Sequence, residues 1–516
     1  MESQYRIIGK PVFGISVGIW KSVRTHLPPP ANVKTYPFFP SLACQNMKTM
    51  KMHLFRVSLL SLFAFFSCSA SGQLRLPAVF GDHMVLQQKT DARIWGWGNS
   101  GSTIKVTGSW SKDTVTAKVA NDGTWQLNLP TPAAGGPYTV TLLNDQQIVL
   151  EDVLIGEVWL CSGQSNMEWS ANAGIVNAEA EVNNANHPNI RFFHVKRAGS
   201  DYPQDDCHGE WAVCSPSTMR TFSSVAYFFA RHLQQTLNVP VGLINASWGG
   251  TPAEVWTDKK FVEADPMLSA YASKLRTYDW WPKEPGRLYN AMIAPLTPLN
   301  IAGALWYQGE SNVGTYPGYS RLMGTLIQNW RAAFEKDFPF YFVQIAPYTY
   351  GNPAAAEAAR LREMQAQCMD IPKTGMVVVS DLVDNIKDIH PRNKQDVGKR
   401  LAHMALSETY GVTGLAYKFP SYQSVSIENN TLRVQLRDAE SGLMVKAGEK
   451  PMAFEIAGAD KVFVPAEARI EGSTLVVSAK TVAKPVAVRY MFTNDGVGNV
   501  FSKEGLPVAP FRSDAW

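Results

Sequence analysis

The chain has 516 residues, 45% of them hydrophobic, 18% charged and 11% aromatic. That globular composition excludes disorder and fibrous repeats, and the length suits two or three domains. Six cysteines without a C-x-x-C pair exclude a disulfide scaffold, a zinc knuckle and a redox dithiol. Residues 1–72 carry eight Lys and Arg against the single acid Glu2, a net +7, which leaves −3 of the chain's +4 for residues 73–516. A slightly acidic body with no basic stripe argues against nucleic-acid binding.

From Met50 a basic stretch (Lys51, His53, Arg56) leads into an apolar run over 57–66 and small residues over 67–72, the order of a secretory signal. Ten apolar residues cannot cross a bilayer, so no stable membrane span is expected. About fifty residues precede this signal, whereas a signal peptide opens its protein. The expectation is that translation starts at Met47, Met50 or Met52, with 1–46 a mis-assigned upstream extension and 47–72 the signal peptide. The other reading is a cytoplasmic tail before a membrane anchor. Cleavage after Ala70 or Gly72 gives a mature chain from near Gln73, and Cys68 is a candidate for lipid attachment; either route exports the protein, to the periplasm or beyond. In that oxidising setting Cys207 and Cys214 are candidates to pair, while Cys161 and Cys368, in apolar contexts, are expected as buried thiols.

Residues 73–150 read as an N-terminal β-sandwich module, with period-two strands near 92–97, 103–107, 114–119, 124–129 and 138–142 between Gly, Asn and Pro turns. Over 151–412 the pattern changes: apolar runs at 153–161, 190–195, 241–246, 302–307, 340–345 and 376–380 alternate with helical periodicity, as at 225–237 and 319–334. Such alternation predicts an α/β domain whose mostly parallel sheet is sandwiched by helices and binds its ligand at the carboxyl ends of the strands. Strand patterns at 431–436, 453–456 and 486–490 predict a C-terminal β module over 413–516.

Several polar segments fall at the expected strand ends. After 153–161 comes Ser162-Gly163-Gln164-Ser165-Asn166-Met167, where Ser165 would be either an exposed hydroxyl at a helix start or simply a helix N-cap. The hydrolase elbow Gly-x-Ser-x-Gly does not match, because Met167 stands at its second Gly. Gly249 and Gly250 follow the third run and offer amides unshielded by Cβ. Gln308 and Asn312 follow the fourth as neutral donors. Asp388 and His390, two apart in an extended stretch, can project to one side as a carboxylate and an imidazole base, with Pro391 expected in the first turn of the helix that follows. His232 and His403 lie in helical patterns and read as packed or solvated.

With these motifs in this order, and with Leu76-Pro77-Ala78-Val79-Phe80-Gly81-Asp82-His83-Met84 before them and Tyr307-Gln308-Gly309-Glu310-Ser311-Asn312 between, the chain resembles the sialate O-acetylesterases of the SGNH hydrolase superfamily over nearly its whole mature length. The resemblance implies an SGNH-type, flavodoxin-like catalytic domain with Ser165 as nucleophile and His390 as general base. The Ser165 amide, a Gly249 or Gly250 amide and the Gln308 side chain would form the oxyanion hole. Gln164, Asn166, Glu310, Asn312, Trp248 and Arg392 are expected to contact substrate. The superfamily's Asp stands three residues before its histidine, where this chain has Lys387, so Asp388, Asp384 or a backbone carbonyl would orient His390.

No metal or organic cofactor is required. The expected function is removal of O-acetyl groups from sugars, foremost sialic acid, with acetylxylan or another plant polysaccharide as the alternative. A non-catalytic secreted carbohydrate-binding protein is the alternative of another class. Trp169, Trp248, Trp256 and Trp306 are candidates for a sugar-stacking rim, and Arg362 and Arg392 for a carboxylate clamp.

Overall fold

A computed structural model describes residues 73–352 and 356–516. The expected upstream extension, the signal peptide and Cys68 lie outside the described residues. The chain first builds β1 (Val85–Gln87), β2 (Asp91–Trp97), β3 (Thr103–Gly108), β4 (Val115–Lys118), β5 (Thr124–Pro130) and β6 (Gly135–Leu143). β5 alternates strictly between exposed and buried. Its inward Trp125, Leu127 and Leu129 join Ile94, Ile104, Val106, Val140 and Leu142 in one apolar cluster, as expected where two small sheets share a core.

β7 (Gln147–Gly163) is 17 residues long and serves two sheets. Residues 147–155 pair antiparallel with β6, and residues 157–163 pair parallel with β10 (Val241–Ser247). The domain boundary expected at residue 150 therefore falls inside one continuous strand. The central order, with β8 (His187–His194), β9 (Trp211–Cys214), β11 (Gly303–Tyr307), β12 (Phe340–Val343) and β13 (Thr374–Val377), is β13-β12-β11-β7-β10-β8-β9. All these pairings are parallel except the edge strand β9. Every residue of β10, β11 and β12 is buried, so both faces of the sheet are covered, which is what continuous apolar runs require. The covering helices include α1 (Ser165–Glu168), α2 (Ser224–Leu237), α3 (Tyr319–Ala333), α4 (Glu357–Gln367) and α5 (Lys394–Glu408).

The register sets three strand ends level, with Gly163 opposite both Ser247 and Tyr307. Gly163 has φ +138°, and a Cβ there would stand 2.2 Å from the Tyr307 carbonyl oxygen, so no other residue fits. The chain leaves β7 toward β8 on one side and β11 toward β12 on the other, which makes this crevice the switch point where α/β sheets bind ligands.

The C-terminal residues form a seven-stranded antiparallel sheet with its own core of Leu432, Val434, Leu475, Val477, Val488 and Tyr490. Its outermost strands, Ser421–Glu428 and Phe511–Arg512, approach one another, and Tyr422 stacks on Phe511 at 5.2 Å, so the sheet curls toward a barrel. This sheet grips α4. Arg512 pairs with Glu363 at 2.8 and 2.9 Å, and the fully buried Arg362 donates to the carbonyls of Thr493 and Asn494. Burial pushes the Arg362 guanidinium down to about 10. Arg362 is thus a structural clamp rather than a carboxylate ligand. Cys207 and Cys214 are free and buried, not paired: Cys214 sits on edge strand β9 with its thiol toward the Ala185 carbonyl at 3.5 Å. Cys161 and Cys368 are buried thiols, as expected.

Candidate active site

Ser165 is the first residue of α1; the N-cap position belongs to Gln164, so the alternative of Ser165 as an N-cap does not hold. The serine Oγ lies 2.9 Å from Nε2 of His390, 225 residues away. His390 sits in the loop between β13 and α5. Asp388 Oδ1 accepts its backbone N–H at 2.9 Å, and the Trp169 ring stacks on the imidazole at 4.0 Å and 18°. Pro391 precedes the helix: the cap of α5 is Asn393, whose side chain accepts the Asp396 N–H.

Asp388 is placed less firmly with respect to the ring. Its carboxylate stands 3.6 Å from Nδ1 with the side chain 47% exposed, beyond ordinary hydrogen-bond reach. Asp384 is exposed and makes no hydrogen bond or ion pair with His390, and no backbone carbonyl among the described residues accepts from Nδ1. Burial, and then the positive charge of Lys394, pull His390 down to about 4; Asp388 pushes the other way and does not offset them. The imidazole is therefore neutral and able to accept a proton over the physiological range.

Behind Ser165 lies a buried polar network that takes up most of the side chains expected to touch substrate. Gln164 Oε1 accepts the N–H groups of Gly309 and Ser311 at 3.3 and 3.4 Å. Asn166 is fully buried; its Nδ2 donates to Glu310 Oε1 at 2.6 Å and to the Ile389 carbonyl at 3.1 Å, and its Oδ1 accepts from Lys394 Nζ at 2.6 Å. Asn312 Nδ2 donates to Glu254 at 2.9 Å, and its Oδ1 accepts from the Ala253 N–H and from Gln308 Nε2. These three side chains hold the turns in place and are not offered to a ligand. The expectation for Gln308 is corrected on the same ground. Its two amide hydrogens go to the Thr251 carbonyl and Asn312 Oδ1 at 3.2 and 2.8 Å, and its Oε1 accepts from Tyr319 at 2.9 Å, so nothing is left to donate to an oxyanion.

Among the glycines, the Gly249 N–H donates to Glu168 Oε2 at 2.9 Å, and Glu168 in turn pairs with Arg197 at 2.8 Å. The N–H groups of Ser165 and Gly250 have no acceptor among the described residues. A Cβ on Gly249 would lie 3.3 Å from Ser165 Cβ, so this turn borders Ser165. Trp248 is half-buried beside Arg197. Trp256 and Trp306 are fully buried core residues, not a rim. Arg392 is exposed, and its backbone carbonyl, not its guanidinium, is engaged, by the Val176 and Lys394 N–H groups.

A cleft of about 800 Å³ opens next to Gly250, lined by Arg276, Tyr278, Trp280, Trp281, Glu310 and Tyr350 among others. Tyr278 lies 4.8 and 5.1 Å from the rings of Trp280 and Trp281. Glu310 Oε2 and the Tyr350 hydroxyl are buried there without partners, and burial raises the Glu310 carboxyl above the usual range. The reading of the sequence missed this wall, although three aromatics within 278–281, outside any strand or helix pattern, are a detectable signal. Neither Ser165 nor His390 lines this cleft; it adjoins their turn through Gly250, whereas another cavity, of about 870 Å³, lies on the C-terminal sheet. Among the described residues no cluster of three or more His, Cys, Asp or Glu could hold a metal, and no helix is long and apolar enough to cross a membrane.

Comparison with known proteins identifies the family. Residues 155–407 match the family described as carbohydrate esterase, sialic acid-specific acetylesterase. The chain is 31% identical over 432 residues to a sialate O-acetylesterase of Rattus norvegicus, a match covering 72% of this chain and 80% of that protein. It is likewise 31% identical over 396 residues to that of Homo sapiens, with 70% and 75% covered. The solved structure of a carbohydrate acetylesterase from Xanthomonas citri superposes with a TM-score of 0.79 at 36% identity, covering 86% of this chain and 100% of that one. The chain therefore belongs to the sialic acid-specific acetylesterase family of carbohydrate esterases, and is a carboxylic ester hydrolase that removes O-acetyl groups from carbohydrate.

Proposed function

We propose that the enzyme deacetylates O-acetylated sialic acid through a Ser165 acetyl-enzyme on an SGNH-type fold. The observation that carries this reading is the 2.9 Å contact between Ser165 Oγ and His390 Nε2. His390 takes the hydroxyl proton as Oγ attacks the acetyl carbonyl. The bond between the acetyl carbon and the sugar oxygen then breaks, and the imidazolium returns its proton to that oxygen, so the sugar leaves as the alcohol. A water, deprotonated by the same imidazole, hydrolyses the acetyl-serine to acetate and frees the enzyme. The N–H groups of Ser165 and Gly250 supply the oxyanion site, and Gly249 adds a third donor when Glu168 releases it.

The substrate reading draws on the names of the relatives and on the cleft. Its aromatic wall suits the apolar face of a sugar ring. Lys274 and Arg276 line it together with Glu310 and Glu357, and Arg276 has no hydrogen bond or ion pair among the described residues. A sugar carboxylate would pair with that guanidinium, whereas neutral acetylxylan leaves it unused. Acetate release from O-acetylated sialic acid and from acetylxylan is the test. The sialate is expected to be preferred, with the preference reduced in Arg276→Ala and all turnover lost in Ser165→Ala. Faster release from acetylxylan would overturn the substrate reading. Undiminished turnover by Ser165→Ala would overturn the mechanism. The signal-like 47–72 supports export with translation starting at Met47, Met50 or Met52, and a peptide from 1–46 recovered in secreted material would contradict that start.

A further inference from the structure

Lys394 opens α5 and is fully buried, an expensive place for an ammonium group. No carboxylate lies within ion-pair distance of it among the described residues. Its Nζ donates to Asn166 Oδ1 at 2.6 Å and lies 5.6 and 5.9 Å from the ring centres of Tyr307 and Trp169. Trp169 is the ring on which His390 stacks. Asn166 in turn donates to the Ile389 carbonyl at 3.1 Å, the other half of the peptide whose N–H belongs to His390.

We propose that Lys394 is a positioning residue for His390: through Asn166 it fixes the Ile389–His390 peptide against the Ser165 turn, and its charge beside the imidazole keeps the ring unprotonated to lower pH. The inference rests on the Ser165–His390 reading above. The charged groups around the imidazole are Asp388 from its own loop and Lys394 from α5. Those around Lys394 are Glu310 from the turn after β11, and Asp388 and Asp384 from the loop after β13. Burial holds Lys394 down to about 7, so it carries its charge throughout the acid range in which His390, at about 4, titrates. There the cation opposes the imidazolium, and removing it lets the imidazole titrate at higher pH.

The test is the pH profile of kcat/KM on a chromogenic acetate ester, with near-ultraviolet circular dichroism to confirm folding. Lys394→Gln keeps a donor for Asn166 but no charge; it is expected to raise the acid-limb midpoint by about one pH unit while retaining most of kcat. Lys394→Met loses both functions and is expected to show the same shift with a kcat at least about tenfold lower. Folded Gln and Met variants with the wild-type midpoint would overturn the charge role, and an undiminished kcat in the Met variant would overturn the positioning role. If neither variant folds, the wild-type profile decides: a midpoint near the ordinary histidine value of about 6.5 overturns the inference. His390→Ala separates the two readings, since full activity in that variant would remove the histidine base itself and not only the role of Lys394.

Discussion

Replacing Asp388 by Asn tests how much of a triad this enzyme uses. The change removes the charge but keeps an oxygen to accept the His390 N–H, now bound at 2.9 Å. Unit charges at about 4 Å interact by about 1 kcal/mol in bulk water and about 4 kcal/mol at an effective dielectric of 20. With the carboxylate 3.6 Å from Nδ1 and its side chain 47% exposed, the value belongs near the lower limit. The imidazolium formed in the transition state should lose about 1–2 kcal/mol, a fall of roughly 5- to 30-fold in kcat/KM. A buried, fully engaged aspartate costs about 10⁴-fold in the same substitution. The assay is kcat/KM on a chromogenic acetate ester at pH 7.5, with active sites counted by a serine-reactive phosphonate. Because the pair is exposed, the effect should also shrink at high salt. A loss of a thousandfold or more, or a larger loss in Asp384→Asn, would refute this placement of the carboxylate.

Other substitutions read different parts of the site. Gly163→Ala drives a Cβ toward the Tyr307 carbonyl at a residue with φ +138° and should cost about 3–5 kcal/mol in urea unfolding, with activity lost as β7 and β11 part; wild-type stability would contradict the register. Gln308→Ala strands the Thr251 carbonyl and takes one of two partners from Tyr319 and from Asn312 Oδ1 in the interior, and should lower stability by about 1–3 kcal/mol, while a hundredfold fall in kcat at unchanged stability would restore it as an oxyanion donor. His390 titrates at about 4 when folded and near 6.5 when unfolded. The native state thus binds fewer protons, and stability should fall progressively from about pH 6.5 to 4, less so in His390→Gln; equal slopes in urea titrations would refute the depressed value. Burial pushes the thiols of Cys207, Cys214 and Cys368 up to about 12, so Ellman's reagent should label none of them before unfolding and all of them after, and a pair silent after unfolding would mean a disulfide.

The strands were readable because both faces of the central sheet are covered, so runs such as 241–246 are apolar without alternation. Ser165 and His390 were readable because each stands in a polar motif beside such a run or before a helix. The orientation of their neighbours was not. Gln308, Asn312 and Asn166 have the composition of ligand contacts, yet each turns inward to meet groups such as Glu254, Tyr319 and Lys394, which tertiary packing alone brings near. Spacing also allowed Cys207 and Cys214 to pair, but edge strand β9 aims the second thiol at Ala185. Trp280 and Trp281 stand in a long connection with no period to mark them, and only the folded chain sets Trp281 against Gly250.

Because residues 147–163 run unbroken from the outer sandwich into the reaction crevice, the two regions share one beam. Excising residues 73–150 would strip the hydrogen-bond partners from half of the strand that carries Ser165 at its tip, leaving a raw edge open to aggregation. The sandwich therefore acts as a splint for the turn that holds Ser165. Amide exchange along this strand should be slow and uniform across position 150, as expected of a single cooperative block.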